Sequence, residues 1–160
     1  MNTDHIEIEL VVDNEANGFV ATLDGADSFD EWWNTCTSIL LRLWQAESPD
    51  RGGLIGIVLT GDDRMREINR DFRGKDRATD VLSFDLSDEP DRIEGEVYVG
   101  VDRAVAQAGD IGCTDAEELA RLVIHGVLHL AGHDHHNPDE EHRMLAETER
   151  WLSEWARLCP

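Results

Sequence analysis

Eleven residues, His125-Gly126-Val127-Leu128-His129-Leu130-Ala131-Gly132-His133-Asp134-His135, constrain this chain more than any other stretch. Two histidines four apart lie on one face of a helix, one turn apart, so both imidazoles can reach a single ion at ~2.0–2.1 Å. Gly132 can adopt the left-handed conformation, end that helix and fold the chain back, which lets His135 approach the same ion. Three nitrogen ligands with a fourth position open describe a catalytic metal site, in which the ion acidifies water or polarises a phosphoryl oxygen. The bland alternative is a set of histidines on a helix face or in a core.

The spacing H-x-x-x-H-x-x-G-x-x-H is also that of the metzincin proteases, which place a general-base glutamate directly after the first histidine. Here that position is Gly126, so peptide hydrolysis would lack its local base. A metalloprotease-like hydrolase is therefore a reading that the missing base counts against.

The remaining sequence predicts an α+β architecture: a single mixed sheet of about four strands with helices packed on it, one of them a metzincin-like metal helix. Ile6 to Val12 alternates apolar with acidic residues before turning apolar, the pattern of a half-buried strand. Leu54 to Thr60, Val81 to Phe84 and Glu96 to Val101 supply the other three strands. Ser28-Phe29-Asp30-Glu31 and Thr114-Asp115-Ala116-Glu117 have capping-box spacing, and Asn137-Pro138-Asp139-Glu140 is a third helix start. These open helices running to about Ala46, to Gly132 and to about Arg157. A helix from Asp62 carries Met65, Ile68 and Phe72 on its apolar stripe, and a short one covers Asp102 to Ala108. Gly18 to Asp27 reads as a loop.

At 160 residues the chain suits one domain, 1–160, that buries roughly two-thirds of its unfolded surface. No apolar stretch reaches the ~18 residues of a membrane span, and the N-terminal residues lack the basic and apolar runs of an export signal. Cys36, Cys113 and Cys159 are odd in number and lack C-x-x-C spacing, which suits a reducing cytoplasm without disulfides. A formal charge of -21 would repel nucleic acid and acidic membranes. Yet six of the 14 basic residues, Arg64, Arg66, Arg70, Arg73, Lys75 and Arg77, fall within one short stretch holding three acidic ones, so a local positive patch persists. The five tryptophans sit at helical spacing, as core residues do.

The histidine stretch, together with Arg73-Gly74-Lys75-Asp76 and Thr79-Asp80-Val81-Leu82-Ser83-Phe84, resembles the bacterial YbeY family of rRNA maturation factors and endoribonucleases. The order of these motifs and the downstream Met144-Leu145-Ala146-Glu147-Thr148-Glu149 agree with it, and the likeness runs from about residue 50 to 155. The resemblance implies one zinc ion per chain on His125, His129 and His135, and an essential arginine at the position of Arg73. It implies single-strand-specific, metal-dependent cleavage of precursor ribosomal RNA in 16S 3′-end maturation and ribosome quality control. The small ribosomal subunit and an Era-type GTPase are the partners it suggests. A non-catalytic ribosome-assembly factor with structural zinc is a third possibility, favoured by a fourth protein ligand. Three positions depart from the family: His133 stands where tyrosine is usual, Asp85 where proline commonly follows Ser-Phe, and Glu96 where an aspartate follows glycine. Asp80, Asp85 and Glu96 are candidates for proton transfer, and Asp134 for orienting an imidazole.

Overall fold

The computed structural model describes residues 5–159. Its strands are β1 (Ile6–Val12), β2 (Gly52–Thr60), β3 (Val81–Asp85) and β4 (Arg92–Gly100). Its helices are α1 (Asn17–Val20), α2 (Phe29–Glu47), α3 (Asp62–Arg73), α4 (Val101–Ile111), α5 (Asp115–Leu130) and α6 (Pro138–Leu158). The order across the sheet is β1-β2-β4-β3, with β1, β2 and β4 parallel and β3 antiparallel to β4. This is the mixed four-stranded α+β arrangement expected from the residue pattern.

The alternation in β1 sends Ile6, Ile8, Leu10 and Val12 toward the core and leaves Glu7, Glu9 and Val11 exposed. β2 and β4 add Ile55, Ile57, Leu59, Ile93, Val97 and Val99 to that core, all fully buried. Helix α5 packs against β3, β4, α2, α4 and α6, so the candidate metal helix is the centre of the helical layer. Trp32, Trp44, Trp151 and Trp155 are buried in the core, as their spacing indicated. Met65 and Ile68 of α3 form a smaller cluster with Leu82.

The three side-chain caps form as the sequence predicts. Ser28 accepts from the Glu31 N–H, Thr114 from Glu117 and Asn137 from Glu140. Boundaries differ where no cap marks them. β4 begins at Arg92, four residues earlier than expected, because parallel pairing with β2 extends to Gly52 opposite Arg92. Val101, expected to end that strand, is the first residue of α4, and α4 runs on to Ile111 rather than Ala108. The stretch read as a loop begins with the short helix α1. Among the described residues no helix is long and apolar enough to cross a membrane, and all three cysteines are free.

Gly126 lies where α5 presses directly on the sheet. A β-carbon there would stand 2.4 Å from Val97 Cγ1, 3.1 Å from Val81 Cγ2 and 3.2 Å from Ser83 Oγ. Ser83 Oγ also donates to the Gly126 carbonyl at 2.8 Å, tying β3 to the helix between the two histidines. Gly126→Ala should therefore destabilise the fold by about 1–3 kcal/mol through overpacking, despite alanine's better helix propensity. Denaturant unfolding measures it, and an unchanged midpoint would show that Val97 yields freely.

Candidate metal centre

Helix α5 ends as the motif requires. Gly132 has φ of 106°, its N–H donates to the His129 carbonyl at 3.1 Å, and the His133 N–H donates to the Leu128 carbonyl at 3.1 Å. This pair of bonds is a Schellman motif, which satisfies the last helical carbonyls while reversing the chain. The reversal brings His135 back beside the helix, with its ring centroid 5.7 Å from that of His129. Potential ligand atoms of His129, Asp134 and His135 lie within 4.8 Å of one another. His125 stands outside that set, one helical turn deeper on the same face, and is half-buried like His129, whereas His135 is exposed.

The hydrogen bonds around these rings test whether they suit a metal. His129 Nδ1 is 2.8 Å from the His133 carbonyl oxygen, which can only accept, so Nδ1 carries the proton and the lone pair is on Nε2. That is the orientation in which metal-binding histidines are usually braced. The imidazoles of His129 and His135, with the Asp134 carboxylate beside them, are donors of the kind that hold a divalent transition metal. Asp134 is differently engaged: its Oδ1 accepts from the His135 N–H at 2.8 Å and its Oδ2 lies 2.6 Å from His136 Nε2. The backbone bond to His135, with the nearby imidazoles, holds this carboxyl below its usual range. Asp134 thus braces the turn that delivers His135.

The three departures from the family pattern all find partners. His133 Nε2 lies 2.8 Å from Glu47 Oε2 at the end of α2, so its ring is directed to that carboxylate. Asp85 pairs with Arg51 at 3.2 Å and accepts from the Ser87 N–H at 3.0 Å. Partial burial pushes the Asp85 carboxyl upward, but its bonds to Ser87 and Arg51 outweigh this and hold it low. Glu96 accepts from the Tyr98 hydroxyl at 2.7 Å, and desolvation together with that carboxylate pushes the phenol up to about 12. Asp80 accepts from the Val81 N–H at 2.8 Å and from Gln107 Nε2 at 3.1 Å.

Of these carboxylates only Asp85 lines the cleft beside His129, which measures 340 Å³ and is walled by Arg51, Ser83, Asp85, His129 and Leu130 to Gly132. The cation in that wall is Arg51, which sequence reading did not single out. Arg51 precedes β2 in a loop with no motif around it. The pairing of β2 with β4 and of β4 with β3 is what carries it to Asp85, Ser87 and the Arg92 carbonyl. Arg73 is not in the wall. It is the exposed last residue of α3, before Gly74 in the left-handed conformation. Its acidic neighbours are taken by others, Asp76 by Arg66 at 2.8 Å and Asp71 by Arg70 at 3.1 Å. Among the described residues Arg73 has no salt-bridge partner. Edge-on contacts of Phe72 with Phe84 and of Phe84 with Tyr98 fasten the end of α3 to the sheet.

Burial lowers the basicity of His125, the Asp80 carboxylate opposes this, and the fields of His129 and His135 reinforce it. Folding therefore disfavours the protonated ring. In metal-free protein, stability should be complete above the unfolded value of 6.5 and fall as pH drops through it, levelling once the folded ring also protonates. Thermal unfolding in chelator between pH 8 and 5 reads this slope, which His125→Gln should flatten. An equal slope in both proteins would place the effect elsewhere.

The fold agrees with what comparison with known proteins finds. The family described as Endoribonuclease YbeY matches residues 22–156, and the chain belongs to that family. An Endoribonuclease YbeY of Persephonella marina is 45% identical over 95 residues, covering 57% of this chain and 62% of that protein. One from Carboxydothermus hydrogenoformans is 40% identical over 104 residues, covering 64% and 73%. The chain thus spans about three-fifths of the length of the Persephonella relative. The solution structure of TM1509 from Thermotoga maritima superposes with a TM-score of 0.61 at 27% identity, covering 93% of this chain and 89% of that one. The match extends the likeness upstream of residue 50 to include α2.

Proposed function

We propose that this chain is a metal-dependent endoribonuclease of single-stranded RNA, folded as one domain over 1–160, with one zinc ion held by His125, His129 and His135. The observation that carries the metal assignment is the fixed tautomer of His129, whose Nδ1 is bonded to the His133 carbonyl so that Nε2 is free beside His135. The name Endoribonuclease YbeY, borne by the relatives, supports the reaction class. When bound, zinc would supply charge stabilisation at the phosphoryl group and a more acidic water. The protein's own residues hold the site and the substrate. Ser83 locks β3 to α5 through the Gly126 carbonyl, the Schellman turn presents His135, and Arg73 offers an unpaired guanidinium fork to a phosphate.

The proposal includes precursor ribosomal RNA as substrate, in 16S 3′-end maturation and ribosome quality control in the cytoplasm. The small subunit and an Era-type GTPase are the partners. A peptide-hydrolysing reading is disfavoured by packing as well as by sequence: at Gly126 not even a β-carbon fits without displacing Val97, so a glutamate at that place is sterically denied. His133, directed to Glu47, does not close the coordination sphere as a structural zinc site would require. The deciding experiment incubates ultrapure protein, with and without zinc, with single-stranded RNA, duplex RNA and a peptide substrate. Zinc-dependent cleavage of single-stranded RNA alone is expected. Zinc-dependent proteolysis without ribonuclease activity would overturn the proposal.

A further inference from the structure

Thr148 of α6 is buried, at 2% exposure, opposite His125 on α5. Its hydroxyl has one proton, and that proton is committed: Oγ1 donates to the Met144 carbonyl one turn back at 2.7 Å. A hydroxyl whose proton is spent can only accept in any other direction. The group it meets is His125 Nδ1, at 3.4 Å. The contact is satisfied when Nδ1 carries the imidazole proton, which leaves the lone pair on Nε2.

We propose that Thr148 is a positioning residue that fixes His125 in the Nδ1–H tautomer and so turns its Nε2 lone pair outward as a ligand. This rests on the reading of His125 as a zinc ligand. The device differs from the one at His129. There a backbone carbonyl accepts by necessity, whereas at His125 the acceptor exists because the backbone of α6 has claimed the hydroxyl proton. A neutral imidazole in water carries its proton mainly on Nε2, so an acceptor at Nδ1 works against the intrinsic preference. The docking of α6 on α5 thereby sets the ligand state of a residue on the other helix. Asp80 is the acidic group whose field reaches this ring, beside the imidazoles of His129 and His135, and its two oxygens are engaged by the Val81 N–H and by Gln107.

Thr148→Val is nearly isosteric and removes the acceptor, and Thr148→Ser keeps it. Long-range proton–nitrogen NMR on metal-free protein with neutral imidazoles reads the His125 tautomer, and chelator competition reads zinc affinity. Wild type and Thr148→Ser should show Nδ1–H at His125. Thr148→Val should shift the proton toward Nε2 and weaken zinc by about tenfold or more, the usual cost of losing such a partner. A role in packing alone would leave the tautomer unchanged. An Nε2–H signature in wild type overturns the proposal without any variant, as does a Thr148→Val protein with the wild-type tautomer and affinity. Failure of wild type to take up zinc would instead refute the ligand reading, and the tautomer measurement would still decide what Thr148 does.

Discussion

Alanine at position 129 is expected to abolish zinc retention and RNA cleavage together while leaving the fold in place. His129 is half-buried at the solvent-facing end of α5, not part of the apolar core, so its truncation creates no large cavity. Its Nε2 is the lone pair that the surrounding bonds present most clearly, because the carbonyl of His133 pins the opposite nitrogen. An ion that stabilises phosphoryl charge by several kcal/mol accounts for more than about a hundredfold in rate, so cleavage should fall by at least that factor. His125→Ala should behave in the same way, whereas Asp134→Asn should keep most of the zinc. The asparagine oxygen can still accept from the His135 N–H, which is the bond that shapes the turn. Elemental analysis, circular dichroism and RNA cleavage on the four proteins check this. Full cleavage by zinc-free His129→Ala protein would refute the metal mechanism, and zinc lost with Asp134→Asn but kept with His125→Ala would identify the carboxylate as the ligand.

Arg73→Ala should retain fold and zinc yet lose RNA cleavage by about ten- to a hundredfold, the range of one charge-assisted bidentate bond of 1.5–3 kcal/mol. The structure makes the test clean. Arg73 is exposed and the nearby carboxylates of Asp71 and Asp76 are paired with Arg70 and Arg66, so no internal ion pair is broken by the change. In a chain of net charge -21, an exposed guanidinium without an acidic partner is a feature that a polyanion can use. Arg73→Lys should recover only part of the rate, because a point charge replaces a planar fork. The expected signature is a wild-type melting temperature and zinc content with slowed cleavage. Unchanged cleavage would show that Arg73 does not contact the phosphate.

How far the sequence alone carried depended on whether the signal was local. Caps at Ser28, Thr114 and Asn137, the alternation in β1, and the helix-then-glycine spacing from His125 to His135 are satisfied by bonds within a few residues. They were therefore legible before any packing was known. The same holds for the mixed α+β layout, since each strand announced itself by its own pattern. The ends of β4 were not legible, because Arg92 and Val101 are sorted by parallel pairing with β2 and by the start of α4, which sequence neighbours do not encode.

Tertiary structure alone decided the rest of the site. The sequence shows glycine at 126 where metzincins have glutamate; the 2.4 Å approach to Val97 shows that the helix lies too close to the sheet for a side chain there without displacing Val97. His133 could be read as a fourth ligand until Glu47, 86 positions away, was seen to hold it. Arg51 enters the cleft through sheet register, and Thr148 meets His125 through the docking of two helices. Local spacing named the candidate ligands and brought His129 and His135 together at the end of α5. Which atom each of them turns toward that point depends on acceptors brought from distant segments, and those contacts exist only once the core has closed.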